Sequence, residues 1–211
     1  MKLELKHVSK TFDQTEIFHD VNLTLESGHI YGLVGRNGSG KSVLMKMICA
    51  FYEPTTGEIL FDGVNVIARK EFPPSTRALI EKPHFLPDLT GFENLKLLAS
   101  IQKTIGDAEI LETLKLVNLI DDKDKTYHKY SLGMKQKLGI AQVLMENPEV
   151  MILDEPFNGL DDNSVVAIRN TLLEEKKKGK LIILATHIKE DIEKLCDEVF
   201  VLNQKTIEKI K

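Results

Sequence analysis

The sequence has no apolar run long enough to place it in a membrane by itself. Its apolar stretches fall short of the roughly 18 residues that a helix needs to cross a bilayer. The N-terminus, MKLELKHVSK, also lacks the apolar core of a signal peptide. We therefore expect a cytoplasmic chain that reaches a membrane only through a partner.

Cysteine and excess positive charge are also scarce. Cys49 and Cys196 lie in apolar segments and match no metal-site spacing, which favours buried, reduced thiols. The formal net charge of −4 gives no general affinity for nucleic acid. Four lysines between positions 176 and 180 end a helix-like segment, where a solvated face at the negative end of the helix dipole is favoured over a nucleic-acid patch. We expect no nucleic-acid partner.

A phosphate-binding loop is the clearest motif that is present. Residues 35–42 read GRNGSGKS and match the template GxxxxGK[ST] at every fixed position. The glycines let successive backbone N–H groups approach a polyphosphate, Lys41 supplies a point charge, and the Ser42 hydroxyl suits Mg²⁺. A strand candidate, His29 to Val34, precedes the loop, and a helical pattern follows it. The loop is therefore predicted to be a nucleotide site at a helix N-terminus.

The order of predicted elements places a helical block between two sheet-forming halves of this 211-residue chain. Alternating patterns predict strands over Lys2 to Val8 and Val21 to Leu25. After a proline-punctuated hinge, Thr90 and Glu93 have capping-box spacing, and further helical stripes follow. Apolar runs then return, with Val199 to Leu202 as the last main strand. The length suits one large domain or a core with an inserted subdomain.

Two buried strand candidates in the second half end in residues suited to catalysis. Val150 to Leu153 ends in Asp154 and Glu155, and a later apolar run ends in His187. In an open α/β sheet the carboxyl ends of parallel strands share one edge, so we expect these side chains to lie beside the phosphate loop. Asp154 would hold Mg²⁺, and Glu155 would orient or deprotonate water. His187 alone is a weak signal.

Phe12 follows the first predicted strand in a polar setting and leaves two interpretations open. Its ring could stack on an adenine, or it could plug the underside of a hairpin. Spacing alone favours neither.

Taken together, these motifs resemble those of the ATP-binding subunits of ABC transporters over nearly the whole chain. GRNGSGKS is similar to the family's Walker A motif, VMILDEP to Walker B with its catalytic glutamate, NGLD at 158–161 to the D-loop, and ATH at 185–187 to the switch-histidine segment. YSLGMKQ at 130–136 resembles the LSGGQ signature, which separates this family from other phosphate-loop ATPases. The stretch LIEKPHFLPDLTGFENL resembles the bacitracin-resistance and lantibiotic-immunity branch.

The resemblance implies an α/β fold. It has a RecA-like phosphate-loop NTPase core with an N-terminal antiparallel β-subdomain and an inserted α-helical subdomain. A single ABC ATPase domain would cover 1–211, with the core and β-subdomain at 1–82 and 149–211 and the helical signature subdomain at 83–148. The chain stops soon after the core, so we expect no C-terminal regulatory domain.

The resemblance also implies a role for each motif residue. Glu155 would be the catalytic base, and His187 would contact the γ-phosphate. Ser42, Asp154 and Glu81 would hold Mg²⁺. ATP would contact Phe12, Gly35, Asn37, Gly38, Ser39, Gly40, Lys41, Ser42, Val43 and Asp161, while Ser131 and Gly133 would touch the ATP bound to the opposite subunit.

Glu81 departs from the family pattern, which usually has glutamine there. If it engages Mg²⁺ when the helical subdomain rotates inward, it would link the nucleotide to a permease-facing stretch, Pro83 to Leu89. Alternatively, Glu81 points into solvent at a proline-rich hinge.

The resemblance implies that two ATPase subunits, identical or homologous, close head to tail on ATP. They would power a separate transmembrane permease at the cytoplasmic face of the cell membrane. A soluble ABC-type ATPase acting on ribosomes or DNA is the alternative, although the sequence has no tandem ATPase half, long coiled coil or basic surface. Glu155 and His187 argue against a binding module without turnover, and YSLGMKQ argues against a small-molecule kinase. The transported substrate and direction of transport stay open.

Overall fold

The computed structural model describes residues 1–203 and 205–211, and within these ranges the chain forms two β-sheets and six α-helices. The strands are β1 Lys2–Phe12, β2 Thr15–Glu26, β3 Ile30–Val34, β4 Thr56–Phe61, β5 Val64–Asn65, β6 Thr76–Leu79, β7 Val150–Asp154, β8 Leu181–Ala185, β9 Glu198–Asn203 and β10 Thr206–Lys209. The helices are α1 Lys41–Ile48, α2 Gly91–Gln102, α3 Asp107–Leu116, α4 Leu132–Leu144, α5 Asp162–Lys177 and α6 Lys189–Leu195. Two short 3₁₀ turns, Ile120–Asp122 and Tyr127–Lys129, precede α4.

The smaller sheet is antiparallel, with strand order β2-β1-β4-β5. Leu3 and Leu5 of β1 are buried, as the alternating pattern predicts for one face. The same alternation would place His7 on that face, but a register shift after Leu5 leaves His7 exposed and buries Val8 instead. The first two strands are longer than predicted because β1 and β2 stay paired to the tip of their hairpin, where Phe12 is opposite Thr15. Each pair at the tip contains at least one polar residue, as in Thr11 with Glu16 and Phe12 with Thr15, so an apolar alternation does not predict this part of the strands.

The larger sheet has the order β10-β9-β3-β8-β7-β6, and the five strands from β9 to β6 are parallel. Ala185 at the end of β8 is level with Leu33 of β3 and Asp154 of β7. The loops that follow β3, β7 and β8 therefore leave the sheet at the same edge.

The core lies on the two faces of this larger sheet. Leu181 and Ile183 of β8 pack on the side of α1 and the smaller sheet, whereas Ile182 and Leu184 pack on the side of α2 to α5. Successive side chains of a strand point to opposite faces, so a strand covered on both sides needs an unbroken apolar run. That requirement explains the continuous apolar sequences of β7 and β8.

Helices α2, α3 and α4 form the block between the two halves, and all three lie within the range 83–148. The capping box that begins α2 is confirmed: Glu93 N donates to Thr90 Oγ1 at 3.1 Å, and Thr90 N donates to Glu93 Oε2 at 2.8 Å. The boundaries at 82 and 149 stay predictions. Among the helices described, none combines the length and apolar composition needed to cross a membrane.

The elements that were not predicted include α6 and β10. Their sequences, KEDIEKL and TIEK, are short and mostly polar, so periodicity does not mark them. Tertiary contacts hold them instead: Leu195 of α6 is buried, and Ile207 of β10 packs against the core. Cys49 and Cys196 are buried and free, as predicted, and burial raises the pKa of each thiol to about 12.

The capping box gives a direct test of the local structure. We expect Thr90→Ala to lower the free energy of unfolding by about 1 kcal/mol, because the N–H of Glu93 loses its acceptor. Urea denaturation measures this change. Thr104→Ala, at an exposed position beyond the C-terminus of the same helix, is the control and should be near neutral. Equal unfolding free energies for the two variants would contradict the capping role.

Candidate functional site

The phosphate loop joins β3 to α1 in a conformation that requires its glycines. Gly38 and Gly40 have φ angles of +80° and +98°. A Cβ added at Gly40 would lie 2.7 Å from the ring of Phe18, so no larger residue fits there. Helix α1 begins at Lys41, and its first backbone N–H groups face the loop. The Lys41 ammonium donates to the carbonyl oxygens of Gly35 at 2.8 Å and Arg36 at 3.2 Å.

Beside this loop lies a cavity of about 350 Å³. It is lined by Ile17, Asn37, Gly38, Gly40, Lys41, Ser42, Val43, Asp154 and Glu155. Gly35 and Ser39 line a neighbouring cavity of about 540 Å³ with Val201 to Asn203. The cavity beside the loop thus brings together groups from the ends of β3 and β7, as the parallel sheet predicts.

Ser42 and Asp154 form the oxygen pair at which a metal ion is predicted. The Ser42 hydroxyl donates to Asp154 Oδ2 at 2.9 Å, and both side chains line the cavity. Mg²⁺ prefers hard oxygen ligands, takes few from the protein, and completes its shell with water and phosphate oxygens. A hydroxyl and a carboxylate at this spacing fit that requirement.

Glu155 and His187 meet across the edge of the sheet. Glu155 Oε1 lies 2.8 Å from His187 Nδ1, and the two side chains form a hydrogen bond. The backbone N–H of Glu155 donates to Ala185 O at 2.9 Å, and Glu155 has a φ of +48°, in the left-handed region. A residue other than glycine stays in that region only when its surroundings fix it, and such strain is common at functional sites.

Phe12 lies outside the cavity and belongs to an aromatic cluster. Its ring meets that of Tyr52 edge-on, with centroids 5.2 Å apart, and Lys10 Nζ lies 4.5 Å from the Phe12 centroid. The ring is half-buried. Adenine stacking by Phe12 stays a prediction, since the contact with Tyr52 suits either interpretation.

Glu81 contacts a lysine of the phosphate helix. Lys46 Nζ lies 2.5 Å from Glu81 Oε1, and this hydrogen bond raises the pKa of Lys46. The Glu81 side chain is 62% exposed, and its φ is +65°. The carboxylate is thus largely exposed and paired with a cation one helical turn after Ser42, and both interpretations of Glu81 stay predictions. Sequence reasoning missed Lys46, although its position four residues after Ser42 on a helix was a usable signal.

The predicted signature residues lie at the N-terminus of α4. Ser131 is the N-cap and accepts from Met134 N at 3.2 Å; its side chain is exposed. A Cβ added at Gly133 would lie 2.7 Å from Gly159 O, so α4 and the D-loop segment pack closely. No described residue of α4 lines the cavity of about 350 Å³.

Gln136, which sequence analysis places only within the signature motif, links α4 to the loop that carries Glu155. The buried Gln136 Nε2 donates to the carbonyl oxygens of Glu155 at 3.2 Å and Pro156 at 3.1 Å. Asp161, the N-cap of α5, accepts from the hydroxyl and N–H of Ser164, and these bonds lower the Asp161 pKa to about 2. In this chain Asp161 therefore has a helix-capping contact in addition to its predicted nucleotide role.

Comparison with known proteins points to one family. A family model described as ABC transporter matches residues 18–158. An uncharacterized ABC transporter ATP-binding protein of Bacillus subtilis, YybJ, is 38% identical over 98% of this chain and 94% of its own length. The bacitracin transport ATP-binding protein BcrA of Enterococcus faecalis is 36% identical over 96% of this chain and 66% of its own length. The lantibiotic transport ATP-binding protein SrtF of Streptococcus pyogenes is 32% identical over 97% of this chain and 89% of its own length.

Solved structures of ABC ATP-binding proteins have the same fold as this chain. The structure of an ATP-binding subunit of an ABC transporter matches all of this chain and 90% of its own, with a TM-score of 0.90 and 29% identity. The ATP-binding cassette MJ0796, in a dimeric post-hydrolysis state with ADP and Pi, matches 99% of both chains with a TM-score of 0.86 and 24% identity, a likeness of fold. The α/β fold of a phosphate-loop NTPase is confirmed.

Lys41 is the residue on which nucleotide binding should depend most. We expect Lys41→Ala to weaken MgATP binding at least about tenfold, because a charge-assisted hydrogen bond to the phosphates is lost. Calorimetric titration with a slowly hydrolysed ATP analogue measures the affinity. Lys115→Ala, at an exposed position on α3, removes the same charge elsewhere and should bind as the parent does. Parental affinity in Lys41→Ala would place the nucleotide elsewhere.

Proposed function

The chain belongs to the family of ABC transporter ATP-binding proteins and is an ATPase, and from that premise we propose that it powers a separate membrane permease by closing on a second ATPase subunit. The observation that carries the proposal is the placement of Ser42, Asp154, Glu155 and His187 beside the phosphate loop, with the signature residues outside that cavity. The chain would lie at the cytoplasmic face of the membrane, held there by the permease.

The phosphate loop binds the polyphosphate of ATP through its backbone N–H groups, the N-terminus of α1 and Lys41. In the proposed bound state the Lys41 ammonium exchanges its carbonyl partners for phosphate oxygens. Ser42 and Asp154 would hold Mg²⁺, which when bound neutralises charge on the transferred phosphoryl group. Phe12, Val43 and the other predicted loop residues complete the contacts with the nucleotide.

Glu155 accepts the proton of the attacking water, and His187 fixes the carboxylate that accepts it. The hydrogen bond of 2.8 Å between them supports this division, because it orients the carboxylate of Glu155, a residue that lines the cavity beside the phosphate loop. His187 is 70% exposed, which suits a side chain that meets the γ-phosphate only when the nucleotide and a second subunit are present.

Three features of α4 support a site shared by two subunits. Ser131 and Leu132 are exposed at its N-terminus, and Leu132 is 64% exposed although it is apolar. The N-terminus of a helix with a serine N-cap favours an anion, here the γ-phosphate of the other subunit's ATP. Gln136, one turn further along α4, donates a hydrogen bond to the backbone of Glu155. Helix α4 therefore links Ser131, which would contact the other subunit's ATP, to the proposed catalytic base of its own chain.

A groove between the core and the helical block is the surface that we assign to the permease. Its volume is about 730 Å³, and it is lined by Cys49 and Phe51 just after α1, by residues of the segment 72–80, and by residues in or just after α2 and α4. Phe51 and Phe72 line it and are 61% and 77% exposed. Exposed aromatic side chains around a groove are typical of protein interaction sites.

Two consecutive residues, Ile80 and Glu81, connect the groove to α1, the helix that follows the phosphate loop. Ile80 lines the groove, and the next residue, Glu81, bonds to Lys46 of α1. Pro83, in the stretch first predicted to face the permease, is held at the helical block: Pro83 O accepts from the Tyr127 hydroxyl at 2.8 Å. A rotation of the helical block would therefore move this segment and change the distance between Glu81 and Lys46.

The shared site is tested with Glu155→Gln. This variant should bind MgATP but not hydrolyse it, because glutamine cannot accept the proton, and a dimer of chains should accumulate. Size-exclusion chromatography with light scattering measures the mass with MgATP and without nucleotide. Glu149→Gln, an exposed carboxylate just before β7, is the control and should hydrolyse ATP at the parental rate. A Glu155→Gln variant that stays monomeric at saturating MgATP would argue against the shared site.

Coupling through Glu81 is tested in the complete transporter. We expect Glu81→Ala to retain ATP affinity within about threefold while permease-coupled activity falls at least about tenfold, because the link between α1 and the groove is lost. ATP binding, Mg²⁺ dependence and transport or resistance are measured together. Glu71→Ala, an exposed carboxylate before β6, is the matched control. If Glu81→Ala matches the parent in all three measurements, Glu81 has no role in coupling.

A further inference from the structure

We propose that Arg169 and Asp191 are positioning residues that fix the loop carrying Glu155 relative to the loop carrying His187. The proposal rests on the roles proposed above for those two side chains. Neither Arg169 nor Asp191 belongs to a motif identified in the sequence, and neither lines the nucleotide cavity. They join α5 to α6 beneath the catalytic edge of the sheet.

The two residues form a buried ion pair. Arg169 Nε donates to Asp191 Oδ1 at 2.7 Å, and Arg169 Nη2 donates to the same oxygen. Asp191 is completely buried and Arg169 is 8% exposed. Charges withdrawn from water are stable only when they are closely paired, so each fixes the position of the other.

Asp191 extends this constraint to the loop that carries His187. Its second oxygen, Oδ2, accepts from the Thr186 hydroxyl at 3.2 Å, and that hydroxyl accepts from Ile188 N at 3.2 Å. The residues on both sides of His187 are therefore held to α6. The His187 side chain is exposed between them and depends on this backbone for its direction toward Glu155.

Arg169 extends the constraint to the loop that carries Glu155. Its guanidinium lies 5.8 Å from the ring centroid of Phe157, which is buried two residues after Glu155. The left-handed backbone at Glu155 needs neighbours that fix it. Gln136 supplies one such contact from α4, and the stacking of Phe157 under Arg169 supplies another from α5.

The shape of arginine matters at this position. The guanidinium also bonds to Glu190, with Nη1 at 3.1 Å from Oε1 and Nη2 at 3.2 Å from Oε2. A planar group is needed to meet two carboxylates at its edge and an aromatic ring at its face. Lysine keeps the charge but cannot make this set of contacts, so charge alone should not replace Arg169.

The test uses Thr186→Val and Arg169→Lys, with Lys176→Gln as the matched control. Lys176 is on the same helix, and its Nζ lies 2.9 Å from Asp197 Oδ1, so the control removes a partly buried ion pair of α5 other than that of Arg169. Steady-state ATPase kinetics give kcat and KM, and thermal melting shows that each variant is folded. Thr186→Val keeps the side-chain shape and tests the proposal even if Arg169→Lys folds poorly.

We expect Thr186→Val and Arg169→Lys to lower kcat about tenfold with KM for ATP within about twofold, because geometry is lost at the reacting groups and nucleotide binding is not. Lys176→Gln should keep the parental kcat. In a His187→Ala background, Thr186→Val should change kcat by less than about twofold, since its effect passes through His187.

Parental kcat in folded Thr186→Val, or an equal loss of kcat in the parent and His187→Ala backgrounds, would overturn the proposal. These results leave the proposed function intact if His187→Ala is itself impaired. If His187→Ala keeps the parental kcat, the proposed role of His187 fails first, and the positioning role fails with it.

Discussion

The site depends on the parallel register of β3, β7 and β8. Ala185 pairs with Leu33 on one side and with Asp154 on the other, so the three loops that follow these strands begin at the same edge of the sheet. A shift of one residue in β7 would turn Asp154 to the opposite face of the sheet. The unbroken apolar sequences of β7 and β8 prevent that shift indirectly, because both faces of these strands are packed and any slip would misplace well-packed side chains.

At that edge, the predicted catalytic residues Glu155 and His187 are held by contacts that come from outside the sheet. Gln136 of α4 fixes the backbone of Glu155, and Arg169 of α5 packs on Phe157 and pairs with Asp191 of α6. The same helix that carries Gln136 presents Ser131 at its exposed N-terminus. If Ser131 binds a partner's ATP, α4 connects that contact to Glu155, the predicted catalytic base of its own chain.

Much of this arrangement could be predicted from local sequence, and the rest could not, for a physical reason. The phosphate loop, the apolar strands and the Thr90 capping box are encoded by residues within a few positions of one another. The pairs Lys46–Glu81 and Arg169–Asp191 join residues 35 and 22 positions apart, and periodicity does not say which charged residues will meet. Helix α6 was missed because its seven mostly polar residues are ordered largely by the buried Asp191 and Leu195. The shared site, the permease and the roles of the site residues remain proposals.

The shared site is tested most directly by cross-linking Arg36→Cys in one chain to Leu132→Cys in another, both in the Glu155→Gln background, because these positions adjoin the predicted ATP contacts Asn37 and Ser131 without replacing them. Both positions are exposed, and the native thiols of Cys49 and Cys196 are buried with pKa values raised to about 12, so a short bismaleimide should react at the introduced positions first. We predict a cross-linked heterodimer with MgATP and none without nucleotide. No cross-link at saturating MgATP, or an equal yield of cross-link with and without nucleotide, would contradict a site shared between two subunits.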